Sequence, residues 1–169
     1  MSENNNTKLI PLTQGQFAIV DAEDFDELNK FKWCATKEHG TWYAVRFSLS
    51  INGKRHKILM HRVILGLEPG DGKEGDHQNH NGLDNRLDNL RICTRSQNQH
   101  NQKPQKNCTS QYKGVTWHKR AHKWQVEITK NGKKRYLGCF MSEIEAALSY
   151  NKYAQKFYGD FARLNILSK

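Results

Sequence analysis

The chain begins with short apolar bursts at strand spacing. KLIPL (Lys8–Leu12) and FAIVD (Phe17–Asp21) flank Thr13-Gln14-Gly15-Gln16, a polar, glycine-containing run that predicts a turn between two strands. Asp24 to Asn29 is acidic and reads as a short helix or loop. WYAVRFSLS (Trp42–Ser50) then alternates, with Trp42, Ala44, Arg46 and Ser48 set against Tyr43, Val45, Phe47 and Leu49. Asn52-Gly53 follows as a two-residue hairpin signal, and HKILMHRVILG (His56–Gly66) is expected to complete that hairpin. Trp33 and Trp42 read as core aromatics rather than as base contacts.

Beyond Gly66 the apolar pattern fades. Residues 66–75 hold Pro69 and several glycines and predict a loop. From Asp76 to Leu83 the chain is polar, and Leu87, Leu90 and Ile92 are its few anchors. Thr94 followed by Gln97 is a capping pair, which would set Asn98 on the first turns of a short helix. A charged run holding Pro104 then predicts a linker. Past it the grammar is clearer: YKGVTWHK and KWQVEITKNGKKRYLGCF give three strands, the last two joined across Asn131-Gly132. Trp124, Val126 and Ile128 share one face, Gln125 and Glu127 the other. Ser142 with Glu145 forms a second capping box, and Ile144, Ala147, Leu148, Ala154 and Phe157 predict the buried stripe of a helix ending near Gly159. One helix covers one sheet face, and the other face, rich in Lys, Arg and aromatics, must meet something else.

Composition adds a partner. Only 36% of the 169 residues are hydrophobic, which suits several small modules better than one large core. The net charge of +10 is unevenly placed: residues 1–101 hold 13 Lys/Arg against 13 Asp/Glu, and residues 102–169 hold 14 against four. The C-terminal part should therefore seek a polyanion. No apolar run is long enough to span a membrane, and the polar start MSENNNTK is unlike a signal peptide. The four cysteines form no CxxC pair, so an intracellular, reduced, cytoplasmic setting is expected, the host cytoplasm if the chain is phage-encoded.

The middle stretch holds the candidate chemistry. Cutting a phosphodiester requires a base for the attacking water and a charge to offset the phosphate and the leaving oxygen. A hard cation takes oxygen ligands, which Asp76 and Asn98 can supply. His77 can serve as base because its unperturbed pKa lies near neutrality. Neighbours on a strand face opposite ways, so Asp76 and His77 can serve one site only where the backbone turns or twists.

Residues 61–101 resemble the HNH endonucleases with the strand–strand–helix metal fold, especially phage and intron-encoded homing nucleases. The resemblance rests on MHR at Met60–Arg62, DH at Asp76-His77, NGLDNRLDNLR at Asn81–Arg91 and TRSQN ending at Asn98. It implies Asp76 and Asn98 as metal ligands and His77 as general base. It also implies that Asn89 braces the loop holding the base and that His61 supports the site. Arg91 could lie near phosphate. Gln78 stands where members often have an apolar residue, and His80 where they often have Gly. Asn98 in place of a final His points to Mg²⁺, with Mn²⁺ as a substitute, rather than zinc.

Residues 110–165 resemble the plant APETALA2/ethylene-response-factor DNA-binding domain, through YKGVTWHKR, KWQVEI, YLGCF and EIEAALSYNKYAQKFYGDFARLN. That family lays a three-stranded sheet in the major groove, which is wide enough to admit it. The resemblance implies Trp117, Lys119, Arg120, Glu127, Lys134 and Arg135 as the DNA-facing set, with Trp124 claimed by both faces. Tyr136 stands where the plant domains usually have Trp. Lys in place of several Arg favours phosphate contact over base readout.

The expected fold class is α+β. A β-rich segment (1–60) leads into a ββα-metal core (61–101). A linker (102–109) then precedes a three-stranded antiparallel sheet on one helix (110–169). The expected function is metal-dependent cleavage of double-stranded DNA by a monomer or homodimer with no membrane attachment. The rival reading is a DNA-binding regulator with an inactive nuclease module. RNA is a weaker substrate because its deep, narrow major groove would exclude the sheet.

Overall fold

The computed structural model describes residues 6–48, 53–102 and 108–167. The chain forms two compact units, Met1–Arg95 and Ser96–Lys169. Each is α+β.

In the first unit, β1 (Thr7–Pro11) and β2 (Phe17–Asp21) pair antiparallel, Leu9 opposite Ile19. The predicted turn between them is a short 3-10 segment in which Gln14 adopts a left-handed φ of 62°. The acidic run is helical: α1 spans Ala22–Asn29. A second sheet has the order β3 (Cys34–Glu38), β4 (Thr41–Ser48), β5 (His56–Leu59), all antiparallel. The expected turn residue Asn52 lies outside the described residues. Ile10, Ala18, Val20, Leu28, Trp33, Ala44, Met60 and Leu83 form the core of this unit, with Trp42 packed against it. Both tryptophans are thus core residues, as their aromatic bulk suggested.

One reading of this region needs correction. HKILMHRVILG is not one strand: pairing stops at Leu59, opposite Val45, and α2 (Met60–Ile64) follows at once. Met60 is fully buried and Ile64, four residues on, packs on the same core, so the period switches from two to 3.6 there. A two-stranded sheet of β6 (Glu74–His77) and β7 (Leu90–Cys93) comes next, and α3 (Arg95–Asn101) follows it, giving strand–strand–helix order.

In the second unit, the sheet has the order β10 (Lys133–Phe140), β9 (Lys123–Lys130), β8 (Val115–His118), covered by α4 (Glu143–Tyr158). Asn131 and Gly132 both take positive φ (53° and 72°), the conformation that a tight hairpin turn demands. The stripe on α4 keeps Ala147, Ala154 and Phe157 of the expected one and departs from it at Ile144 and Leu148. Ala146, Ala147, Tyr150 and Ala154 are buried, whereas Ile144 and Leu148 are exposed. Small alanines let the helix lie close to the sheet, and Tyr150 fills the remaining space. Ser142 occupies the N-cap position but makes no side-chain capping bond. Among the described residues, no helix is long and apolar enough to cross a membrane.

Candidate active site

The site grows out of the β6–β7 hairpin. Register sets Asp76 opposite Arg91 and His77 opposite Leu90. β6 ends at His77, and a turn follows in which the His80 amide donates to the His77 carbonyl at 3.0 Å. His80 has φ 63°, a left-handed conformation that explains why glycine suits this position.

Residues 78–89 form a loop held mainly by asparagines. The Asn89 carbonyl accepts from the Gln78 amide at 2.9 Å, and its Oδ1 accepts from the Asn79 amide at 3.0 Å. Asn89 Nδ2 donates to the Asp84 carbonyl at 2.7 Å. Asp84, 3% exposed, accepts from Asn79 Nδ2 at 2.8 Å and from Arg86 Nε and Nη2 at 2.7 Å each. The Arg86 bonds, followed by its charge, hold the Asp84 carboxyl below the usual carboxylate range. The crowding of asparagine thus has a physical cause. An amide donates and accepts at once, so it can satisfy a buried loop backbone without adding charge.

The N-terminal hairpin completes the loop's support. Ile19 donates its amide to the Leu83 carbonyl at 2.8 Å and accepts from the Asn85 amide at 2.7 Å. Asp21 Oδ2 accepts from the Leu87 amide at 2.7 Å. Gly82 sits under β4, where an added Cβ would lie 2.4 Å from the Trp42 carbonyl and 2.7 Å from the Tyr43 ring.

Three rings gather at the end of β6. His61 and His77 meet edge to face at 4.8 Å between centroids, and Tyr43 lies 6.2 Å from the first and 5.9 Å from the second. Gly75 allows this approach, because a Cβ there would stand 2.6 Å from His61 Cδ2. His61 and His77 are each 6% exposed. Burial, with repulsion from His77 and Arg62, pushes the His61 pKa down to about 3. Burial also lowers that of His77, against opposing pulls from the Asn85 hydrogen bond and the Asp76 and Asp84 charges. A neutral imidazole near neutral pH can accept a proton.

Asp76, 6% exposed, is held by Arg91: Nε and Nη2 donate to its Oδ2 at 2.8 and 2.6 Å. Among the described residues, no group of three or more His, Cys, Asp or Glu side chains is gathered to hold a metal. Asp76 offers carboxylate oxygens, the kind of donor a hard cation takes. Asn98 lies on α3, which groups with the second unit. Asn85, Asp84 and Tyr43 were missed in the sequence. The repeated Leu-Asp-Asn of 83–85 and 87–89 was a signal for the first two, whereas Tyr43 has none.

A family described as HNH endonuclease matches residues 59–100. An uncharacterized HNH endonuclease of Acanthamoeba polyphaga mimivirus is 31% identical over 152 residues, covering 90% of this chain and 76% of that protein. The chain belongs to the HNH endonuclease family. Protein 3.8 of Escherichia phage T7 is 33% identical to this HNH protein over 90 residues, 52% of this chain and 72% of that one. The C-terminal region resembles plant factors instead. The AP2-like ethylene-responsive transcription factor TOE2 of Arabidopsis thaliana is 41% identical over 59 residues, 35% of this chain but only 12% of that protein. No solved structure matches.

Register sorts the expected DNA-facing residues of the HNH protein's second unit. Glu127 pairs with Tyr136 and Lys134 with Thr129, on the face opposite Val126 and Ile128. Trp117 pairs with Trp124, their rings edge to face at 5.0 Å, and Arg135 pairs with Ile128. Those two therefore start from the helix-side face, Arg135 nonetheless exposed. Lys119 and Arg120 are exposed beyond the end of β8.

Proposed function

We propose that this protein is a homing-type, metal-dependent endonuclease that hydrolyses phosphodiester bonds of double-stranded DNA. The observation that supports this reading most is the buried His77, neutral near pH 7, at the end of β6 beside Asp76, on a loop tied by Asn89. His77 takes the proton of the attacking water; the new bond forms at phosphorus and the P–O3′ bond breaks. Asp76 and Asn98 are the residues that would hold Mg²⁺ (or Mn²⁺). Offsetting charge on the phosphate and the departing 3′ oxygen is the chemistry such a cation supplies when bound. Asn89 braces the loop and His61 supports the His77 ring. One such centre cuts one strand, so a monomer nicks and a homodimer cuts both.

Functionally, the chain divides into a β-rich segment (1–60), the nuclease core (61–101), a linker (102–109) and a DNA-binding region (110–169). Glu127 and Lys134 present the outer sheet face to DNA, with Lys119, Arg120, Arg135 and Trp117 at its margins. Phosphate contact dominates there. Tethering this region to the nuclease raises the local concentration of the cleavage centre at bound DNA.

A second reading, a non-catalytic DNA-binding regulator, is favoured by one observation: Arg91 already holds the Asp76 carboxylate. Supercoiled and linear DNA incubated with purified protein in Mg²⁺ or EDTA separates the two readings. Mg²⁺-dependent ends are expected, with His77→Ala lowering cleavage by at least about 100-fold while DNA affinity is kept. Equal cleavage by variant and parent would remove His77 as the base.

A further inference from the structure

Asn85 plays no part in the reading above, although its side chain points at the residue assigned as base. It is fully buried, and its Oδ1 lies 3.3 Å from His77 Nε2. The other end of the same amide is committed, since Nδ2 donates to the Leu83 carbonyl at 3.1 Å. Flipping the amide would bring two oxygens together inside the protein, at the cost of a buried unsatisfied acceptor. The oxygen therefore faces the imidazole. An amide oxygen only accepts, so the ring nitrogen that meets it must carry the hydrogen.

We propose that Asn85 is a positioning residue that fixes His77 as the Nε2–H tautomer, so that Nδ1 is the nitrogen that receives the proton of water. The proposal rests on the reading of His77 as general base and says which of its two nitrogens acts. The means of enforcement reaches back to the first strands. Ile19 of β2 bonds the backbone on both sides of Asp84, Asn89 ties the Asp84 carbonyl, and Gly82 is wedged beneath Trp42 and Tyr43. The backbone that aims the Asn85 amide is thus held from β2, β4 and the loop itself. An asparagine here also differs from an aspartate in kind. It selects the tautomer without adding a negative charge beside the imidazole.

The test uses full-length protein labelled with 15N in histidine. Ring-nitrogen spectra are recorded at pH 8, where the imidazole is neutral, and His77 is assigned by its absence in His77→Gln. The parent is expected to show a protonated Nε2 and a bare Nδ1. In Asn85→Leu that preference should be lost and kcat for Mg²⁺-dependent nicking should fall on the order of 100-fold with KM for DNA unchanged. Asn85→Asp, which also accepts from Nε2, should keep the Nε2–H tautomer even though its second oxygen loses the bond to the Leu83 carbonyl; loss of that tautomer in this variant would count against the proposal. A parent spectrum with hydrogen on Nδ1 overturns the proposal, as does an Asn85→Leu protein that keeps the Nε2–H form while losing activity. If His77→Ala cuts as fast as the parent, the general-base reading fails, yet the spectrum still reports whether Asn85 sets the tautomer.

Discussion

At the residue scale, burial of the paired imidazoles couples the site to acid stability. His61 titrates at about 3 in the folded protein against 6.5 as its ordinary value, and His77 is shifted the same way. Below pH 6.5 the unfolded chain binds protons that the folded chain refuses. The stability that these residues contribute is therefore complete above 6.5 and drains away as the pH falls toward 3. Urea denaturation from pH 7 to 4 should show a loss approaching about 1.4 kcal/mol per pH unit for each proton so linked. His61→Asn should flatten that slope; an unchanged slope would mean that other groups carry it. Gly82 is the steric counterpart. Its Cβ would collide with a backbone carbonyl at 2.4 Å, which cannot move aside as a flexible side chain would. Gly82→Ala should cost about 3 kcal/mol in the same assay.

At the scale of elements, α3 matters because it is short and carries Asn98. Seven residues alone do not sustain a helix in water, so tertiary contacts must hold it. Within the second unit, Lys113 Nζ donates to the carbonyls of Gln99, His100 and Gln102 at 3.4, 2.6 and 2.7 Å, satisfying the end of α3. His100 stacks on Tyr158 at 3.7 Å. Burial lowers the pKa of Lys113 to about 8, so at pH 7 it remains charged and able to donate to all three. Lys113→Met should speed amide hydrogen exchange in α3 by at least tenfold while leaving β9 protected. Uniform protection in the variant would show that the stack and the remaining contacts suffice. The helix was legible from Thr94 and Gln97, but the lysine that holds its far end, more than ten residues further along the chain, was not.

For the whole molecule, charge is unevenly divided. The first 101 residues balance and the remainder carries the whole +10, where the proposed DNA-binding region lies. Replacing Lys119, Arg120 and Lys134 with Ala should reduce the slope of log affinity against log salt by about 0.9 for each phosphate no longer neutralised. An unchanged slope would move the DNA face elsewhere. Much of this division was readable in one dimension, because hairpin turns, strand alternation, the DH pair and net charge are local properties fixed by residue type and spacing. Asn131-Gly132 demanded its turn, and Val126 and Ile128 declared their face. Other features depend on residues distant in the chain meeting in space. Tyr43 meets His77 from a different sheet, Ile19 binds the loop of Asn85, and Arg91 occupies Asp76 because two strands align. The sequence alone determined which chemical groups the protein owns and which short elements they ride on. Only the tertiary structure decided which amide faces which imidazole, because hydrogen bonds and ring contacts act over a few ångströms and chain separation says nothing about that distance.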